Sequence, residues 1–127
     1  MQKILNDILS QESLMDRFVT DVKAMKASVV LFGCGNALKY AFGFLHLHDM
    51  TPAVLLDNDP KMVGTVINGI TISSFDDFKR MNGVYVVLIV PQDLQVIDLL
   101  TKQLLTHMSS DHIHAFDFIN LPLPQNM

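Results

Sequence analysis

Val29-Val30-Leu31-Phe32-Gly33-Cys34-Gly35-Asn36 is the stretch on which the fold turns. Four consecutive apolar residues ended by a glycine pair suit a strand buried on both faces, as found in the middle of a parallel sheet. Residues 37–48 follow with helical spacing, with Leu38, Ala41, Phe42 and Leu45 on one side, until Thr51-Pro52 breaks the run. Strand, glycine turn and helix therefore stand in order.

Downstream, the same alternation repeats. Ala53-Val54-Leu55-Leu56 is a second strand ended by Asp57, and Asn58-Asp59-Pro60 supplies turn chemistry. Residues 63–67 and 70–72 flank Asn68-Gly69, a pair that accepts positive φ at both positions and so favours a two-residue hairpin. The third sheet strand is expected at 70–72. Ser74 with Asp77 caps a short helix ending near Met81, and Asn82-Gly83 stops it.

Val84-Tyr85-Val86-Val87-Leu88-Ile89-Val90 carries the strongest strand signal in the chain, closed by Pro91. A helix over 92–108 places Leu94, Ile97, Leu100, Leu104 and Met108 on one stripe, widened by Val96, Leu99 and Leu105. That width serves either the core or a homodimer. Residues 112–116 read as a last short strand.

Upstream, Ile4, Leu5, Ile8, Leu9, Leu14, Met15, Phe18, Val19 and Val22 recur at steps of three and four. Ser13 followed by Asp16 resembles a capping box, which predicts two helices, 2–9 and 13–25, meeting near Ser10. The resulting division is a helical extension at 1–26, one α/β domain at 27–118 and a Pro-containing tail or linker at 119–127.

Strands alternating with helices imply an open, doubly wound parallel sheet of about five strands in the order 3-2-1-4-5, with helices on both faces. In such a sheet ligands bind beyond the carboxyl ends of the strands where the winding reverses. Residues 33–36 and 91–93, Pro91 among them, are expected to face each other across that crevice.

Composition limits the function classes. One core is expected for 127 residues that are 50% hydrophobic. Cys34 is the single cysteine, so no intrachain disulfide forms and a reducing cytosol fits. Asn6 and Asp7 interrupt the N-terminus before a signal-peptide core develops, and the run 84–90 is far short of the roughly 20 residues a membrane helix needs. The net charge is -4, with nine scattered Lys and Arg residues, so the chain lacks the basic footprint of a nucleic-acid binder. The expectation is a cytoplasmic protein with neither nucleic acid nor membrane as a partner.

Chemistry concentrates at the first turn. A phosphate needs close backbone approach and the free N–H groups of a helix start. Gly33, Gly35, Asn36 as helix cap and the small Ala37 meet that need. A plain tight strand-to-helix turn is the other reading. Leu38 stands where a dinucleotide fingerprint has its third glycine, so the helix sits further out and a pyrophosphate is held less tightly. Asp57 lies 24 residues beyond Gly33, near the separation at which a carboxylate accepts ribose hydroxyls. With Asp59 nearby it repels a 2'-phosphate, so a nicotinamide cofactor would be NAD and not NADP. The same segment also reads as a polar turn.

Cys34 is either a thiol activated by a helix N-terminus or a small loop-filling residue. His46-x-His48 and His112-x-His114 supply two ligands at most in any one place, short of the three or four a zinc site takes. Neither a catalytic constellation nor a metal site emerges. Lys39 and Tyr40 read as ordinary helix residues.

The residues 29–36, 55–60, Val63-Gly64 and 68–75 together resemble the small Rossmann-like domains of bacterial sugar O-acyltransferases, polysaccharide-biosynthesis dehydratases and methyltransferase-associated proteins. The resemblance covers residues 28–90. It implies that Gly33, Gly35 and Asn36 cradle a phosphate or nucleotide while Asp57 and Asn58 meet its sugar or base; it does not name the ligand, for which NAD and a UDP-sugar are the candidates. It implies further that catalysis belongs to a neighbouring domain. The expected function is a non-catalytic nucleotide or nucleotide-sugar binding domain. The alternatives are part of an NAD-dependent oxidoreductase or dehydratase, and an interaction module with a decayed pocket.

Overall fold

The computed structural model describes residues 2–119, with side chains from residue 11 onward. The tail expected at 119–127 lies, beyond Ile119, outside the described residues.

Strand β1 (Ser28–Phe32) is the centre of the sheet. It pairs in parallel with β2 (Pro52–Leu56) on one side and with β5 (Tyr85–Ile89) on the other. Pro52 opens β2 instead of merely ending the preceding helix. Having no N–H, it is tolerated at a strand's first residue, and the β1–β2 register shifts there, between Val29 and Val30.

The sheet has six strands in the order β3-β4-β2-β1-β5-β6, which corrects the expected five strands in the order 3-2-1-4-5. The additional strand is β3 (Val66–Ile67), the first arm of the hairpin, which joins the edge antiparallel to β4 (Ile70–Ser73). Asn68 at φ 50° and Gly69 at φ 79° make that two-residue turn. The five parallel strands alone run β4-β2-β1-β5-β6. The sheet grows one way from β1 through β2 to β4, then the other way through β5 to β6. The winding therefore reverses between β1 and β5.

Alternation along β1 sorts the core into two layers. Val29 and Leu31 join a cluster with Phe18 and Val22 of α1 (Gln2–Met25) and with Leu38, Ala41, Phe44 and Leu45 of α2 (Leu38–Leu47). Val30 and Phe32 face the opposite layer, with Phe75 and Phe78 of α3 (Phe75–Lys79) and Leu100 and Leu104 of α4 (Leu94–Leu105). A period-2 strand between two helical layers must be apolar at every position, as β1 is.

α1 is one continuous helix, not two. Residues 10–13 hold neither Gly nor Pro, and an exposed Ser13 is tolerated inside a helix whose partners supply its stability. α3 and α4 start at side-chain caps. Ser74 accepts the Asp77 N–H, and Asp93 accepts those of Gln95 and Val96. The α4 stripe needs correction: Leu100 and Leu104 are buried, but Leu94 and Leu99 are 81% and 66% exposed. The last strand is shorter than expected, β6 being Ile113–His114, preceded by a 3-10 turn at Ser110–His112.

Candidate functional site

The turn leaving β1 is shaped by contact with the segment leaving β5. Gly33 has φ 105°, and a Cβ there would lie 2.5 Å from Pro91 Cδ, so no larger residue fits. Its N–H donates to Leu56 O at 2.8 Å, while the Val90 N–H donates to Phe32 O at 2.9 Å, tying the turn to both neighbouring strands.

Gly35 differs. It lacks a positive φ, and a Cβ would meet nothing within 4 Å. The fold places no demand on this glycine, yet it fronts a cleft of about 350 Å3 at the switch between β1 and β5. One wall is Gly33, Gly35, Asn36, Ala37 and Tyr40; the other is Val90, Pro91 and Gln92, with Ile119 closing one side. The two segments expected to meet across the crevice do so, except that Asp93 is withdrawn as the α4 cap.

α2 begins at Leu38, with Ala37 at the cap position and no side-chain capping bond. Asn36 is therefore not the cap expected from sequence. Among the described residues, nothing accepts a hydrogen bond from the N–H groups of Gly35, Asn36 and Ala37. Three uncapped donors at the positive end of a helix attract an anion. Leu38, at the position of the missing third glycine, is buried in the core.

The carboxylate of Asp57 faces the glycine turn. Its Oδ2 accepts the Cys34 N–H at 2.7 Å and its Oδ1 accepts the Asp59 N–H at 2.8 Å. Each oxygen keeps lone-pair capacity for a further donor. Asn58 points elsewhere: its amide exchanges two hydrogen bonds with Gln103 of α4, at 2.8 and 3.0 Å. That pair fastens the β2 turn to α4 and leaves Asn58 outside the cleft lining. Asp57, turned to the Cys34 and Asp59 N–H groups, and the buried Cys34 are outside it too, so the expected contact of Asp57 with a ligand's sugar is not formed by the cleft walls.

Cys34 is not an activated thiol. Its Sγ–H donates to Leu56 O at 3.3 Å, and burial, followed by the charge of Asp57, pushes the thiol up to about 12. The helix N-terminus expected to lower it is outweighed.

The paired histidines diverge. His112 sits in the 3-10 turn with Nδ1 2.9 Å from Tyr85 O, so the two do not share a strand face. His114 is buried, its Nε2 3.1 Å from Asp21 Oδ2 but off the line of a hydrogen bond. Burial lowers its pKa, partly opposed by Asp21. Among the described residues, no group of three or more His, Cys, Asp or Glu side chains is placed to hold a metal. Nor is any described helix long and apolar enough to cross a membrane.

Sequence reasoning passed over Tyr40 and Ile119 as cleft residues. Tyr40 had a faint signal, lying one turn into the helix that follows the glycines. Ile119 had none.

No protein-family model and no curated protein matches the chain. A solved structure, the UDP-D-quinovosamine 4-dehydrogenase from Vibrio fischeri, is similar at 22% identity, with 70% of this chain and 75% of that chain covered and a TM-score of 0.48. A likeness of that size decides neither ligand nor activity.

Proposed function

We propose that the chain is a Rossmann-like domain that binds a nucleotide or nucleotide-sugar in the cleft between Gly35 and Gln92. The observation that carries this reading is the contrast between the two glycines. Gly33 is required by the fold, whereas Gly35 has open space above it and supplies one of three free amide donors. A phosphate over those donors gains charge-assisted hydrogen bonds and the helix dipole together. The cleft volume falls within the range of small-molecule sites.

Non-catalytic binding fits the surroundings better than hydride transfer. Cys34 is buried with a raised pKa and Gln92 does not titrate, which leaves Tyr40, among the described residues, as the titratable side chain in the cleft wall. Chemistry would then be supplied by a neighbouring domain in sugar modification or surface-polysaccharide synthesis, as the resemblance implies. NAD or a UDP-sugar are the first ligands to try, in a cytoplasmic setting.

Calorimetric titration with UDP-sugars, NAD and coenzyme A, preceded by native mass spectrometry for a co-purified ligand, tests the proposal. Binding abolished by Gly35→Arg supports it. Absence of binding to all three classes, with no co-purified ligand, overturns it.

A second reading has its own observation. Leu94, Leu99 and Leu105 are exposed on α4, more apolar surface than a solvated helix normally presents. An interaction or dimerisation role predicts a concentration-dependent mass in light scattering, and a strict monomer counts against it.

A further inference from the structure

We infer that Gln92 selects ligands carrying a hydrogen-bond donor, such as a sugar hydroxyl or base N–H, over bare anions. The inference rests on the proposal that the cleft takes a ligand. It adds which chemical class is accepted and which residue enforces the choice.

Gln92 follows Pro91 at the exit of β5 and is half-buried in the cleft wall. Its Nε2 donates to Val90 O at 3.0 Å and to Phe116 O at 3.4 Å. Both amide hydrogens are thereby directed at carbonyl oxygens of two different segments. Rotating the amide by half a turn would set its own carbonyl oxygen against those two acceptors, which is repulsive, so the orientation is fixed by its neighbours. Among the described residues, nothing donates to the remaining atom, Oε1. The side chain's only unused group is therefore an acceptor.

An acceptor that cannot rotate reads a donor. A hydroxyl or N–H brought to Oε1 gains a hydrogen bond, whereas a phosphate or carboxylate oxygen meets a lone pair and is disfavoured. Sugar and nucleoside phosphates carry both an anionic group and donors; inorganic pyrophosphate carries the anion alone.

Calorimetry with two probes, UDP-glucose and inorganic pyrophosphate, on the wild-type chain and on Gln92→Met and Gln92→Lys tests this. Gln92→Met is expected to weaken UDP-glucose about fivefold to tenfold, the scale of one net hydrogen bond, while leaving pyrophosphate within about twofold. Gln92→Lys still donates to the two carbonyls but presents a cation, so it is expected to weaken UDP-glucose and tighten pyrophosphate. Equal losses for both probes in Gln92→Met, no loss for UDP-glucose in either variant, or a wild-type chain that binds pyrophosphate but not UDP-glucose overturns the inference and leaves anion binding standing. A wild-type chain that binds neither probe overturns the inference, and the binding proposal falls with it when NAD and coenzyme A also fail to bind and no ligand co-purifies.

Discussion

Asp57 Oδ2 accepts the backbone N–H of Cys34 at 2.7 Å, so the acid ending the second strand braces the glycine turn ending the first. Its other oxygen holds the Asp59 N–H, and one side chain thus orders both loops beneath the cleft. The carboxylate is a structural brace before it is anything else.

Removing that brace has a cost and a side effect. Asp57→Ala leaves two N–H groups without their acceptor, which is expected to destabilise the chain by about 1–3 kcal/mol in urea unfolding. In Asp57→Asn the adjacent charge is gone, so the Cys34 thiol should titrate below about 12 yet stay above an ordinary cysteine, because burial is the larger cause. The pH profile of thiol alkylation measures it; an unchanged profile refutes the coupling.

The two glycines should part company. Gly33→Ala combines a φ of 105° with a 2.5 Å collision against Pro91, and is expected to cost about 2 kcal/mol or more. Gly35→Ala is expected to fall within about 0.5 kcal/mol of the parent. Comparable losses at both positions would mean the fold, and not a ligand, requires Gly35.

Acid should loosen the helix layer that carries α1. Burial holds the folded-state pKa of His114 below its ordinary 6.5, opposed by Asp21 and reinforced by Arg17 and His112. As pH drops below about 6.5 the unfolded chain takes up a proton that the folded chain resists, so stability falls. His114→Phe, set against Phe18 in the same aromatic cluster, is expected to flatten this decline between about pH 7 and 5. Thermal midpoints that fall equally in both proteins contradict the assignment.

α4 should tolerate change on one side only. Leu104→Ala empties a fully buried position and is expected to cost about 2–5 kcal/mol. Leu99→Glu, on the exposed flank, should leave stability within about 0.5 kcal/mol. Denaturant midpoints distinguish them, and a large loss at Leu99 would mean that face is covered.

Much of this was legible in the sequence where the signal is local. The apolar run 29–32, the glycine turn, the hairpin at Asn68-Gly69 and the Ser74 cap follow from steric and hydrogen-bond demands within a few residues. What eluded it depends on distant partners. Asn58 meets Gln103 across 45 positions of chain, Pro91 presses on Gly33, and Phe116 fixes Gln92, none of which leaves a local pattern. The continuity of α1 and the exposure of Leu94 were misread for one reason. Capping motifs and apolar stripes state what a helix can do, while packing decides what it does. Within the site, Gly33, Gly35, Asn36, Ala37 and Pro91 line the cleft, whereas Cys34, Asp57 and Asn58, expected there as well, are not among its walls.

Amide NMR during a UDP-glucose titration reads the three free N–H donors of the turn themselves. The Gly35, Asn36 and Ala37 resonances are expected to move downfield together as the ligand's phosphates take their free N–H groups, while Cys34, already bonded to Asp57, moves least within the turn. Saturating ligand that leaves those three resonances in place, or that shifts a different surface instead, would contradict phosphate binding at this turn.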